Sequence, residues 1–122
     1  MGRLQEMAAR KRRLYELYRE QLAGLEGLEV PATDTRSVAP WFVDVLVDAG
    51  RKAEFIEHLR ADGIGSRPVY PALHAEPAFA VAGSFPVAED VSARGVWLPS
   101  SLRLDDAQVL RVCASVRRFF GR

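Results

Sequence analysis

Gly63-Ile64-Gly65-Ser66-Arg67-Pro68-Val69-Tyr70-Pro71-Ala72-Leu73-His74 reads as a strand that leaves a helix at a glycine and then breaks into a proline-stiffened loop. Ile64 to Val69 carries the strand. Pro68 favours extended backbone at Arg67, because its ring crowds a helical residue before it. Upstream, residues 51–62 have helical spacing, with Phe55, Ile56 and Leu59 inward and Gly63 as the C-terminal stop. Downstream, residues 71–84 are loop or broken helix, interrupted by Pro71, Pro77 and Gly83.

The strand needs partners, and the flanking sequence offers them. Pro40 to Asp48 is the clearest strand in the chain, with Trp41, Val43, Val45 and Val47 on one face and Phe42, Asp44, Leu46 and Asp48 on the other. The first face is expected to be buried and the second mixed. Leu28 to Pro31 forms a short edge strand that Pro31 stops from extending. Val96-Trp97-Leu98 is another short strand, closed by Pro99.

Helices fill the remainder. Leu4, Met7, Ala8, Leu14, Tyr15, Tyr18, Leu22 and Leu25 recur at three- and four-residue steps, which predicts a long helix over residues 1–25 ending at Gly24 and Gly27. It starts without a cap, as an element continuing from something longer would. A helix from about Pro86 to Arg94 is expected to turn Val87, Ala88 and Val91 inward, with Gly95 ending it. The last helix opens with Asp105 and Gln108 in a capping-box pattern and presents Val109, Val112, Cys113, Val116, Phe119 and Phe120 as one apolar face. The fold class is α+β: a small, mostly antiparallel sheet covered by helices, in a single domain over residues 1–122.

With 122 residues and 48% hydrophobic content, the chain can bury a real core. Its formal charge of +1 gives no long-range pull toward nucleic acid or an anionic membrane. Arg10-Lys11-Arg12-Arg13 is the one basic run, expected to be a solvated helix face; nucleic-acid binding would rest on it alone. A single cysteine, Cys113, excludes an internal disulfide and sits among valines as a buried thiol. No apolar run approaches the roughly 20 residues that span a bilayer. The N-terminus lacks the apolar centre of a secretory signal, so the cytoplasm is the expected compartment.

Few constellations carry chemistry. His58 and His74 lie far apart in sequence, so zinc spacing is missing. Ser100-Ser101 lacks a nucleophile elbow, and no phosphate loop or dinucleotide fingerprint is present. Glu89-Asp90 and Asp105-Asp106 fall in first helical turns, where the helix dipole accounts for them. The Arg67–His74 loop remains. Arg67 offers a bidentate anion grip, Tyr70 a flat ring with a hydroxyl, and His74 a group that exchanges protons near neutral pH. Pro68 and Pro71 lower the entropy lost when such a loop closes on a ligand. On residue types alone, the loop also reads as a rigid surface turn with Tyr70 packed on the core and His74 solvated.

Tyr70-Pro71-Ala72-Leu73-His74, followed by Glu76-Pro77-Ala78-Phe79, resembles the loop near the end of the DegT/DnrJ/EryC1/StrS aminotransferases. Arg12-Arg13 through Leu22, Trp41 to Val45, Arg51 to Gly65, Phe85 to Glu89 and Leu98-Pro99 are similar to further segments of that family in the same order. The resemblance implies the C-terminal small domain of a fold-type I enzyme that uses pyridoxal phosphate (PLP) to place an amino group on a nucleotide-linked keto sugar. It implies Tyr70 and His74, with Arg67 a weaker transfer, at the mouth of a substrate pocket assembled across a homodimer. It also implies that the cofactor lysine, the acidic partner of the pyridine nitrogen and the phosphate-binding serine belong to an N-terminal PLP-binding domain preceding residue 1. Lys11 and Lys52, expected on solvated helix faces, are poor substitutes, so the isolated chain is expected to bind no cofactor and to be inert. A stand-alone α+β ligand-binding or dimerisation module is the alternative.

Overall fold

The computed structural model describes residues 2–80 and 82–121. Four α-helices and four strands stand among them: α1 (Gly2–Gln21), β1 (Leu28–Glu29), β2 (Val43–Val47), α2 (Lys52–Ala61), β3 (Arg67–Pro68), α3 (Pro86–Arg94), β4 (Gly95–Leu98) and α4 (Asp106–Phe119). The strands form one sheet in the order β1-β2-β4-β3, and every neighbouring pair is antiparallel. The expected small antiparallel sheet is therefore present, with β2 and β4 as its inner strands.

Strand alternation decides which side the helices cover. Val43, Val45 and Val47 of β2 point to the same side as Val96 and Leu98 of β4, and all five are buried. Leu14 and Tyr18 of α1, Phe55 and Leu59 of α2, and Val112 and Val116 of α4 complete that core. Fully burying side chains of this kind contributes roughly 1.5–3 kcal/mol each, which makes this face the main source of stability. Leu46 points the other way and is also buried, on the side where α3 meets β2.

The last helix follows its sequence signals. Asp105 accepts from the Gln108 backbone N–H at 2.8 Å, and the Gln108 side chain accepts from the Asp105 N–H at 2.9 Å, a closed capping box. Phe119 and Phe120 are half-buried rather than core, with rings 5.2 and 5.6 Å from Phe55 and the Arg51 guanidinium 4.4 Å from the Phe119 ring centre.

Other elements differ from expectation. α1 stops at Gln21 instead of residue 25, and Leu22 and Leu25 stay buried in the turn that follows, which prolongs the apolar periodicity beyond the helix. Leu4 and Met7 are exposed, because the first turns of α1 lie beyond the core. The basic run is not a solvated face. Arg10 pairs with Asp106 at 2.7 Å and also donates to the Leu104 carbonyl, while Lys11 donates to the carbonyls of Trp41 (2.8 Å) and Ser100. β3 pairs only at Arg67–Pro68, although Val69 adds a bond from its N–H to the Gly95 carbonyl at 3.0 Å. α3 buries none of its residues, and Val87, expected inward, is 78% exposed. α3 runs into β4 without a linker at Gly95, where a Cβ would lie 2.6 Å from both Val69 Cγ2 and the Val91 carbonyl oxygen. Only glycine lets β3 and α3 approach β4 this closely.

Candidate functional site

The antiparallel registers place three chemically distinct residues in one row on the sheet face away from the main core. Asp44 of β2 lies opposite Trp97 of β4, and Arg67 of β3 lies opposite the same tryptophan from the other side. Directly opposed residues share a face and hold their Cβ atoms about 4.5–5.5 Å apart. An acid and a guanidinium thus flank one indole. The Phe42 ring stacks on Trp97 (centroids 4.5 Å apart, planes 18° apart), and Tyr70 meets it edge-on at 4.8 Å and 82°. Trp41 adds a fourth ring, tilted against Phe42 at 6.3 Å. Trp41 is 76% exposed and Tyr70 69%, so this aromatic cluster is largely open.

Two grooves share the Phe42–Trp97 wall. One, about 380 Å³, runs past Tyr15, Pro31 and Trp41 and contains Asp44. The Asp44 side chain opens to solvent, yet the protein crowded around its carboxyl pushes the pKa above the ordinary aspartate value, against an opposing hydrogen bond from Trp97. The other groove, about 410 Å³, is bounded by Lys11, Arg67 and the end of β4. Partial burial holds the Lys11 ammonium below its usual pKa.

The loop residues singled out from sequence do not meet at one point. Arg67 and Tyr70 both reach Trp97. His74 turns to α3, where its Nε2 donates to Glu89 Oε1 at 3.1 Å and its ring lies 4.6 Å from that of Phe85. It lines an adjoining apolar cleft of about 580 Å³ with Leu73, Phe79 and Phe85. Glu89, read from sequence as helix-dipole chemistry, is thus also the partner that orients His74. Trp97 and Phe42 carried no functional signal in sequence, since only the pairing of β2 and β3 with β4 assembles the row around them. The alternation that put Phe42 and Asp44 together on a mixed face was the one available hint.

A Ser-His-Asp cluster lies elsewhere, between α2 and α4, and is a clasp. The Ser115 hydroxyl donates to Asp62, Arg118 also binds Asp62, and His58 Nε2 donates to the Ser115 carbonyl at 2.9 Å. The imidazole nitrogen nearest the hydroxyl is occupied as a donor, the wrong arrangement for a general base. Cys113 is buried and its thiol is pushed up to about 12, mainly by loss of solvent, so it is inert. Among the described residues, no group of three acidic, histidine or cysteine side chains is placed to hold a metal, and no helix is long and apolar enough to cross a membrane.

Solved sugar aminotransferases contain this α+β fold. The crystal structure of Streptomyces venezuelae DesV in complex with a ketimine intermediate superimposes with a TM-score of 0.85 at 32% identity, over 99% of this chain and 34% of that one. The chain belongs to the DegT/DnrJ/EryC1/StrS aminotransferase family, whose pattern matches residues 1–117. Curated relatives include the dTDP-3-amino-3,4,6-trideoxy-alpha-D-glucose transaminase of Streptomyces venezuelae, 32% identical over 100% of this chain and 33% of its own length. GDP-perosamine synthase of Escherichia coli O157:H7 is 29% identical over 95% of this chain and 32% of its own length. The chain thus spans about a third of the relatives it matches.

The lysines of this chain do not fit the role of a PLP lysine. Lys11 Nζ is fixed by two backbone carbonyls, and Lys52 Nζ donates to the Ser92 carbonyl at 2.9 Å. Both ammonium groups are half-buried rather than solvated as expected, and burial lowers both pKa values. Each is nonetheless committed to a structural contact as a donor.

Proposed function

We propose that this chain is the C-terminal, substrate-facing part of a PLP-dependent nucleotide-sugar aminotransferase that transfers an amino group to a keto-deoxy sugar. The observation that carries the reading is the family match along nearly the whole chain, at about a third of the relatives' length. In this reading the cofactor is held by an N-terminal portion outside these residues, and no chemical step falls to the side chains described here. The parent enzyme works in the cytoplasm as a homodimer, in the assembly of polysaccharide or natural-product sugars.

The task of this part is to bind and orient. Tyr70, stiffened between prolines and set against Trp97, presents a hydroxyl to the sugar or its phosphate. Arg67 supplies positive charge at the other side of the loop. His74, held by Glu89, provides a second polar contact in the adjoining cleft. Losing one hydrogen bond to a charged ligand group costs about 1.5–3 kcal/mol, or roughly ten- to a hundredfold in kcat/KM. Tyr70→Phe and His74→Ala in the full-length enzyme should each fall by that much with the keto-sugar nucleotide, while PLP content and absorbance stay at wild-type level. Unchanged kinetics in both would reduce the loop to a stiff surface turn, and lost PLP with intact sugar binding would assign it to the cofactor.

A further inference from the structure

The two grooves that share the Phe42–Trp97 wall are opposite in charge. One is lined by Lys11 and Arg67. In the other, of about 380 Å³, Asp44 is the only charged side chain on the lining among the described residues, and Tyr15, Trp41, Phe42 and Trp97 supply four aromatic rings. That volume suits a small molecule. The connection from Pro31 to Pro40, which forms the outer wall of this second groove, is tied to α1 in three places. The Tyr15 hydroxyl donates to the Pro31 carbonyl at 2.7 Å, the Thr35 hydroxyl donates to Glu16 at 2.9 Å, and Arg12 Nε donates to the Val38 carbonyl at 3.4 Å. The walls are thus set by contacts within the chain, and a ligand need not order them.

No cation offsets the Asp44 carboxylate among the described residues, and the one polar group turned to it is the Trp97 indole. The protein around it strips away water, which disfavours the negative form, and a positive charge brought beside it removes that penalty. A metal ion calls for several oxygen ligands, whereas this lining supplies a single carboxylate. Aromatic rings suit an organic cation instead, because their faces are electron-rich. Trp41, 76% exposed, leaves ring surface uncovered on the same lining, and Thr33 adds a hydroxyl that can accept a further N–H. We propose that this groove binds a small protonated primary amine with a flat apolar body, its ammonium donating to Asp44 and its body lying against Trp41. A quaternary ammonium has no N–H to give and is the poorer ligand. The two cations of the neighbouring groove repel the same amine, which confines it to the Asp44 side. Nothing in this chemistry depends on the amino transfer proposed above.

The test is nuclear magnetic resonance of the 122-residue chain, ¹⁵N-labelled, titrated at neutral pH and constant ionic strength with phenethylammonium chloride. Phenethyl alcohol, of the same shape but neutral, is titrated in parallel. Saturable shifts are expected at the Asp44 backbone amide and at the indole N–H groups of Trp41 and Trp97, with the alcohol binding about tenfold or more weakly. Asp44→Asn keeps the shape of the side chain and should bring the amine down to the level of the alcohol. Trp41→Ala, at an exposed position that folding does not need, should weaken the amine about three- to tenfold. Glu20→Gln, which removes an exposed negative charge from α1, should change nothing. The site is overturned by the absence of saturable shifts up to about 10 mM amine, by equal affinity for amine and alcohol, or by a preference for the amine that survives in Asp44→Asn. Tetramethylammonium binding as tightly as the primary amine would overturn the hydrogen bond to Asp44. Neither keto sugar nor cofactor is present in these titrations, so their outcome is separable from the Tyr70 and His74 kinetics of the full-length enzyme.

Discussion

Asp44 and Arg67 reach Trp97 from opposite sides because β4 is hydrogen-bonded on both edges, and its two neighbours set the register. The closeness of β3 depends on Gly95, since Val69 packs where a Cβ would stand. Gly95→Ala should therefore destabilise the chain by about 1–3 kcal/mol, the usual cost of overpacking. It should also displace Arg67 from Trp97, and a urea melt with the Trp97 indole resonance as a second readout checks both effects. A neutral Gly95→Ala would mean that β3 is not pressed against β4 as described. At this scale the sequence was half legible. Arg67, Tyr70 and His74 stand out by residue type and by their prolines, whereas Trp97 reads as one apolar residue in a short strand. Its importance comes from neighbours far away in sequence, which no local pattern encodes.

Helix ends and strand faces were the most legible elements, because their signals are local. The capping box of α4 forms as its residues predict, and Gly63 leaves α2 at a positive φ of 76°. α3 misled because its apolar residues have helical spacing but no core to enter: it sits over the sheet face that the other helices leave open, and Val87 points outward. The basic run of α1 misled for the opposite reason, since carbonyls and Asp106 from distant segments capture what looked like solvent-facing charge. The α2–α4 clasp yields a pH dependence. The hydroxyl of Ser115 first, and then Arg118, hold the Asp62 carboxyl below the ordinary carboxylate range. A carboxyl with a depressed folded pKa adds stability that is present above its unfolded value, about 3.9, and is lost as pH falls through the folded value. Stability should accordingly drop on the acid limb, and Asp62→Asn should flatten that limb while lowering stability at neutral pH. Denaturant midpoints measured from pH 2 to pH 7 would show it, and an acid limb identical in the two proteins would exclude Asp62 as its source.

Across the molecule, one side of the sheet holds the fold together and the other carries the candidate site. Periodicity made this division visible as a buried face and a mixed face on β2, but left unsaid which strands lay inside the sheet and what approaches the mixed face. Strand order depends on long-range pairing, and the use of an open face depends on what approaches it. The division has a consequence for how such a chain can change over generations. If the open face meets the substrate, neighbouring codons along β2 and β4 answer to different demands: Val43, Val45, Val96 and Leu98, all buried, to folding, and Asp44 and Trp97, on the opposite face, to recognition. On that condition, a lineage could exchange its substrate by altering every second residue of two short strands without disturbing the positions that keep the chain folded. A library covering residues 43–47 and 95–98 of the full-length enzyme, sorted separately for soluble expression and for activity, should show losses of expression at the first set and losses of activity alone at the second. Gly95, squeezed between α3 and β3, and Leu46, buried under α3, should interrupt that alternation. If expression failed uniformly along both strands, recognition and folding would share residues, and a change of substrate would have to be accompanied by repair of the core.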